Sequence, residues 1–543
     1  VTTTVTLTSA GLDRAAPGAM LAVPFYEGPA GPVPGPGAAE AARLVGAGLT
    51  GADLAGMLAR QGFGGRPGDA ATFLVPDDGA GAGAGGPRRI AAVGVGPSAA
   101  AGAPAVRDAA QRLAALAAGS PAVATTLALL GPDRAESVRA AAEGFLLGGY
   151  RVPRSGSRPV PGSQPAPAGR LALVTAEHGP ADGARPASGD EGTGAADPGG
   201  GPDERCADAL RRGTVTGTLA NWARDLVHAP PGEATPAMLA ETIAARAARC
   251  GAVARVWTAA ELAEAGFGGV TGVGQGSHNA PRMVEVSWAG ERGPGGPAGR
   301  ADGLIALAGK GITFDSGGLN LKRDPAEIAW MRSDMAGGAA VAAAVIAAAE
   351  LGLAVPVTAV VPLAENMPGG GALRPGDVLT HRGGRTSQVV DTDSEGRLVV
   401  ADALAYLAER GPAVLLDVAT LTDAAGLGPA LWAAFGTDQA LLDEVLRAGE
   451  AAGDPGWPLP LPDAYRDLLA CPAADLRNTP SRGPDSAVMA AMFLREFAGD
   501  APWVHIDNGS TAWLEYETGL WPEGATGSPF RALLRFLEAR AAY

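Results

Sequence analysis

Three stretches of the chain carry chemically useful side chains, and each follows a run of apolar, strand-forming residues. LIALAGKGITFDSGGLNLK supplies Lys310, Asp315 and Lys322, WMRSDMAGG supplies Asp334, and QVVDTDSEGRL supplies Asp393, Glu395 and Arg397. In open α/β folds ligands gather beyond the carboxyl ends of the strands, so the spacing predicts that these groups meet at one rim. Four carboxylates brought together repel one another unless a cation compensates, and two divalent metals about 4 Å apart would do so. The five histidines, His178, His228, His278, His381 and His505, are isolated and form no H-E-x-x-H, so oxygen ligands would dominate.

Each stretch also has a structural alternative. Asp315 could make only an Asx-turn, Asp334 could merely cap a helix, and DTDSEGR could be a polar loop that sets Glu395 against a helix dipole. Their joint occurrence after successive strands favours the metal reading. Residues 391–402, DTDSEGRLVVAD, also mimic an EF-hand loop, with Asp391, Asp393 and Glu395 at positions one, three and five and Gly396 at six. That reading fails on context: a turn and a strand precede the loop, and position twelve is Asp402 rather than a bidentate Glu. GVGQGSHNAP near 272–281 and the GAGAGAGG run at 79–86 lack a G-K-[ST] ending and read as loop and linker, and G-x-S-x-G is absent.

The positioning elements follow from periodicity. VARVWTA, MVEVSWA, GLIALAGKG, PVTAVVPLA, AVLLDVAT and WVHIDNG read as strands, separated by helical stretches at 235–249, 334–352 and 397–410. The fold class expected is α/β in two domains. A catalytic domain over 232–543 has a mostly parallel central sheet flanked by helices, and a smaller N-terminal α/β domain covers 1–202. In the latter, strands at 20–25, 71–75 and 89–95 alternate with helical patterns such as AAQRLAALAAG and ESVRAAAEGFLLGGY. Pro/Gly-rich flexible insertions, about 152–170 and 179–202, flank the strand-like LALVTAE. A linking helix over 203–231 is stopped by Pro230 and Pro231.

Composition narrows the partners. The 543 residues carry a formal charge of −15, which argues against a nucleic-acid partner. Cys206, Cys250 and Cys471 show no C-x-x-C spacing, and a reducing cytosol fits them best. The N-terminus shows no basic region followed by an apolar one, so no signal peptide is expected. MAGGAAVAAAVIAAAELGLAVPV is long and apolar but alanine-rich, and reads as a buried helix rather than a membrane span. The expected localisation is cytoplasmic.

GKGITFDSGGLNLK, MRSDMAGGAA, ENMPGGGALRPGDVL, DTDSEGRLVVADAL and DVATLT, in that order, resemble the leucyl aminopeptidase family of dinuclear metallo-exopeptidases, M17. The similarity runs from about Asn221 to the C-terminus and includes NWARDLVHAPPGEATPAMLAE and WVHIDNGSTAW. The resemblance implies that the tighter metal is held by Lys310, Asp315, Asp334 and Glu395, and the second by Asp315, Asp393 and Glu395, with the Asp393 main-chain carbonyl contributing. Zn or Mn is the expected metal, with Co and Mg open. Lys310 must be neutral as a ligand, which two adjacent cations can enforce.

The implied reaction is hydrolysis of the first peptide bond. The free α-amino group and the carbonyl of the substrate engage the metals, and a bridging water attacks. Lys322 would stabilise the oxyanion, and Arg397 would hold a bicarbonate that acts as general base. By the same analogy the chain is a homohexamer that takes peptides with a free N-terminus. Non-catalytic regulation, dipeptide-only hydrolysis and a biosynthetic amide reaction at the same metals are the rival readings.

Two positions depart from the family pattern. Asp391 stands where the family usually has Asn, and its extra charge either raises metal affinity or shifts the base. Asp423 stands where the family has Gly, beside the specificity pocket formed by positions matching Met331, Thr420 and Leu421. A carboxylate there would favour basic or small first residues over leucine; alternatively it faces solvent or pairs with an arginine.

Overall fold

A computed structural model gives the structure of the protein; it describes all residues except 1–2, 17, 47, 76–87, 154–165, 177–201, 291–302, 520 and 543. The chain divides into two units, Val1–Thr218 and Leu219–Tyr543. The helix Pro202–His228 spans the sequence boundary between them.

The first unit is built on a seven-stranded mixed sheet among the described residues. Its order is Thr4–Thr8, Arg170–Val174, Val123–Thr125, Met20–Gly28, Arg88–Pro97 and Ala70–Val75, with Gly31–Pro34 paired to Met20–Gly28. The apolar run MLAVPF lies in the middle and is buried on both faces, which is why it shows no polar alternation. Helices Ala103–Leu116 and Arg134–Gly148 bury their apolar residues against this sheet and each other. The strands Thr4–Thr8 and Val123–Thr125 were not evident from periodicity, because one alternates Thr with Val and Leu and the other has only three residues. Most of the Pro/Gly-rich stretches, the run at 79–86 and His178 lie outside the described residues.

Among the described residues, the second unit has a nine-stranded sheet. Its centre is parallel: β1 (Ile305–Gly309) pairs with β3 (Val357–Asn366) and with β4 (Val414–Ala419), and β4 pairs with β5 (Trp503–Asp507). The short strand β2 (Gly311–Asp315) continues along the same β3 after Lys310. Beyond this centre Arg282–Trp288 and Trp432–Gly436 run antiparallel to it, and Val253–Trp257 pairs antiparallel with Arg282–Trp288, so the sheet is mixed at its borders. β1, β3, β4 and β5 are buried at every position, as strands covered on both faces must be.

Helix α1 (Ala336–Leu351) is the apolar stretch of the sequence that came nearest to a membrane span. The stretch Pro325–Leu351 that contains it is long and apolar enough by composition to cross a membrane, yet nearly every residue of α1 is buried in the core, with only Glu350 partly exposed. Its Ala and Gly side chains let it lie close to the sheet. Helix α2 (Gly396–Ala408) contributes Leu398, Val399, Ala403, Leu404 and Leu407 to the other main cluster. Contrary to the loop reading of 272–281, Gly272–Gly274 close a short helix, Gly268–Gly274, and only the remainder is irregular.

Candidate metal centre and active site

Lys310 follows β1, Asp315 ends β2, Asp334 follows a 3-10 turn before α1, and Asp393 and Glu395 lie in the loop entering α2. Because β1 and β2 both pair with β3, Lys310 and Asp315 lie close together, and the turns before α1 and α2 bring the other three to them. Lys310 Nζ lies 2.7 Å from Asp334 Oδ1 and 3.0 Å from Glu395 Oε1, and donates to the Thr420 carbonyl at 2.8 Å. Lys322 Nζ lies 3.1 Å from Asp315 Oδ2 and 2.8 Å from Asp393 Oδ1. Carboxylate oxygens of Asp315, Asp393 and Glu395 all fall within 4.8 Å of one another. All five proposed ligands therefore meet in one cup.

Loop chemistry fixes this cup. Gly317 adopts φ +85°, and a Cβ there would lie 2.5 Å from the Asn320 carbonyl and 2.9 Å from Asp393 Oδ1, so only glycine lets the DSGG turn pass the carboxylate. Asp315 Oδ1 accepts from Gly317 N and from Asn366 Nδ2, both at 2.8 Å. Thr392 Oγ1 donates to the Gly317 carbonyl at 2.7 Å, and Asn366 Nδ2 to the Thr392 carbonyl at 2.9 Å, tying the two ligand loops together. Asp391 spends one oxygen on the Asp393 amide at 3.0 Å, which shapes the loop. Gly396 opens α2 against Lys310, where a Cβ would sit 2.3 Å from Cε and 2.6 Å from Nζ.

The bland alternatives do not account for the carboxylates. Asp334 caps nothing: Oδ1 accepts from Lys310 and from Thr420 Oγ1 at 2.7 Å, while Oδ2 is buried without a hydrogen-bond partner. Glu395, 1% exposed, likewise leaves Oε2 without a donor. Buried acceptors normally find partners, so two bare oxygens beside further carboxylates are the lone pairs a cation would fill. The donor set fits divalent metal.

Electrostatics point the same way. Burial opposes the charge on Lys310, but Asp334, Glu395 and Asp315 outweigh it and hold the ammonium well above its usual range. Burial likewise opposes the charge on Lys322, and Asp315 and Asp393 overcome it. Burial, followed by the charge of Asp315, pushes Asp393 up to about 7 against the pull of Lys322. Asp334 and Glu395 are raised first by burial and then by their acidic neighbours. Too many acids share this cup for all to ionise comfortably without added positive charge.

A cavity of about 560 Å³ opens onto the cluster. Met331, Thr420, Leu421 and Asp423 line it, together with Trp330 and Trp513. Asp423 is exposed and precedes Ala424 and Ala425, which both adopt positive φ. Glu327 and Glu515 add acidic groups to the wall.

The model of the family described as "Cytosol aminopeptidase family, catalytic domain" matches residues 221–534, and that of its N-terminal domain matches residues 30–159. The chain belongs to the cytosol aminopeptidase family. A probable cytosol aminopeptidase of Roseiflexus castenholzii is 44% identical over 339 residues, which span 62% of this chain and 67% of that protein. One of Mycobacterium marinum is 38% identical over 462 residues, 83% of this chain and 81% of that protein. Among solved structures, the bottromycin maturation enzyme BotP in complex with Mn superposes with a TM-score of 0.77 at 33% identity, covering 96% of this chain and 100% of that one. As a member of this metal-dependent family the chain is a peptidase, with the two-domain α/β architecture of the family.

Arg397, to which the family resemblance assigns a bicarbonate, is engaged within the chain. It is 2% exposed, and its terminal nitrogens are taken by Asp485 and by the Asn478 carbonyl. A bicarbonate at this guanidinium would have to displace Asp485. Asp485, Asn478, Asn366 and Thr392 were not expected at the site; Asn366 and Thr392 carried a signal, lying in the ENMPGGGALRPGDVL and DTDSEGRLVVADAL motifs.

Proposed function

We propose that the chain removes the first residue from peptides with a free N-terminus, with two divalent cations held by Lys310, Asp315, Asp334, Asp393 and Glu395. The observation that carries this reading is the pair of buried carboxylate oxygens, Asp334 Oδ2 and Glu395 Oε2, left without donors beside Lys310, Asp315 and Asp393. A carboxylate-rich set completed by one amine suits Zn or Mn. Bound there, the cations supply Lewis acidity toward a carbonyl and lower the pKa of water.

The chain's own residues do the rest. Lys322 keeps its proton under the influence of Asp315 and Asp393 and stands on the cavity wall, a fixed positive charge for the oxyanion that develops as the scissile carbonyl is attacked. Lys310 is held charged by Asp334 and Glu395, and would have to give up its proton to serve as a ligand beside them. Met331, Thr420 and Leu421 take the first side chain of the substrate. Asp423, Glu327 and Glu515 make that cavity acidic, which supports a preference for basic first residues.

Aminoacyl amides and dipeptides, assayed with Zn, Mn, Co or Mg after chelation, test the reading. Hydrolysis restored by metal, faster on lysyl and arginyl than on leucyl amides, is the expected result; no restoration with any metal refutes it. A trimming step in the maturation of a larger peptide is the second reading, supported by the full-length likeness to BotP. It predicts turnover of extended peptides with little turnover of amides. We also propose a cytoplasmic homohexamer, which light scattering after size exclusion would test, and no nucleic-acid partner, in keeping with the charge of −15.

A further inference from the structure

The fork of Arg397 is filled from within the chain. Nη1 lies 3.2 Å from Asp485 Oδ1 and Nη2 lies 2.7 Å from Asp485 Oδ2, the paired geometry in which a guanidinium takes a planar O–C–O group. Nη1 also donates to the Asn478 carbonyl at 2.5 Å, and Nε, buried, has no hydrogen-bond partner. Bicarbonate presents the same O–C–O end and one negative charge, so it would compete for this seat with a carboxylate already tethered there. A tethered group enjoys a high effective concentration that a diffusible anion must exceed.

Asp485 is itself held in place. Its Oδ1 accepts from the Ser486 amide at 2.9 Å and its Oδ2 from Ser394 Oγ at 3.3 Å. It stands just before Ser486, whose position caps helix α3 (Ala487–Arg495), where the helix dipole favours a negative charge. Asn478, fully buried, accepts from the Val390 amide at 2.7 Å and donates to the Asp391 carbonyl at 2.6 Å. The segment that carries Asp485 is thereby joined to the loop that carries Asp393 and Glu395.

We propose that Asp485 is the resident carboxylate of the anion seat, a positioning residue that acts through Arg397, and that this chain therefore works without bicarbonate. The proposal rests on the aminopeptidase reading of the same site. The charge and the O–C–O group that other arrangements would borrow from solution belong here to the chain.

The test uses the full-length, Mn-loaded protein in CO2-free buffer. Wild type is expected to hydrolyse aminoacyl amides at a rate that bicarbonate does not raise, and a saturable stimulation by bicarbonate would overturn the proposal. Asp485→Ala is expected to lose about 10–100-fold in rate, the effect of removing a partner that orients a functional group, and to regain most of it with bicarbonate or formate. A folded Asp485→Ala or Asp485→Ser that no anion rescues would also overturn it. A binding readout accompanies the rates: bicarbonate should raise the melting temperature of either variant in a saturable way and leave wild type unmoved, and a saturable shift in wild type counts against the proposal. If neither variant folds, the two wild-type arms decide. A chain that hydrolyses no aminoacyl amide fails the parent reading, while the melting arm still judges the seat.

Discussion

Removing metal should leave a protein whose stability falls as pH rises through the acidic and neutral range, and Asp393 is the residue that shows it best. Its carboxyl is pushed up to about 7 in the fold from an ordinary value of 3.8, so between those values the folded state binds a proton that the unfolded chain has released. Stability contributed by the neutral form is therefore present near pH 4 and lost as pH climbs to 7. The shift corresponds to roughly 2–4 kcal/mol at pH 8, for a side chain 31% exposed. At about 2.1 cal/mol/K of unfolding entropy per residue, about 3 kcal/mol spread over the unit Leu219–Tyr543 moves its melting temperature by about 4 °C. Thermal unfolding in chelator at pH 5 and pH 8, for wild type and for Asp393→Asn, measures it. The variant mimics the neutral acid, so it should melt above wild type at pH 8 and alongside it at pH 5. Saturating Mn should stabilise wild type more at pH 8 than at pH 5, because cations bind the ionised carboxylates. Metal-free wild type that melts at or above Asp393→Asn at pH 8 would refute the reasoning.

Three substitutions probe other parts of the site. Lys322→Ala should lower kcat by about 10²–10³-fold, the effect of losing one oxyanion-stabilising group, while metal content measured by mass spectrometry stays near that of wild type. Gly396→Ala places a methyl against Lys310 Cε and Nζ, so it should abolish metal binding and activity without altering any ligand, with a far-ultraviolet spectrum unchanged from wild type. Asp423→Gly should raise the ratio of leucyl to lysyl amide turnover in kcat/KM, and an unchanged ratio would place Asp423 outside substrate recognition.

The proposed ligands stood out as acids and lysines clustered in three short stretches, and Lys310 and Asp315 also because the end of a parallel strand is where charged groups can converge. Lys310 and Asp315 stand at such strand ends, whereas Asp334 follows a 3-10 turn and Asp393 and Glu395 follow a short strand of a separate sheet, and the fold brings all five into one cup. The antiparallel borders of the sheet were not legible: Trp432–Gly436 is a buried, apolar strand and Arg282–Trp288 mixes buried apolar with half-buried polar positions, and the direction of both is set by their connections. Thr392 and Asn366 looked like ordinary polar loop residues, since their work is hydrogen bonding across 26 positions of sequence. Asp485 was hidden for a related reason. Its partner Arg397 lies 88 positions away, and a Pro-Asp-Ser stretch reads locally as nothing more than the start of a helix. Long-range pairings of single side chains leave no periodicity to detect.

Metal stoichiometry tied to turnover tests the central claim most directly. The protein reconstituted with Mn or Zn after chelation and desalted should hold two ions per chain, and aminoacyl amide hydrolysis should rise with occupancy and vanish in Glu395→Gln. Hydrolysis that survives full chelation, or a protein that takes up no divalent ion while remaining folded, would contradict the account.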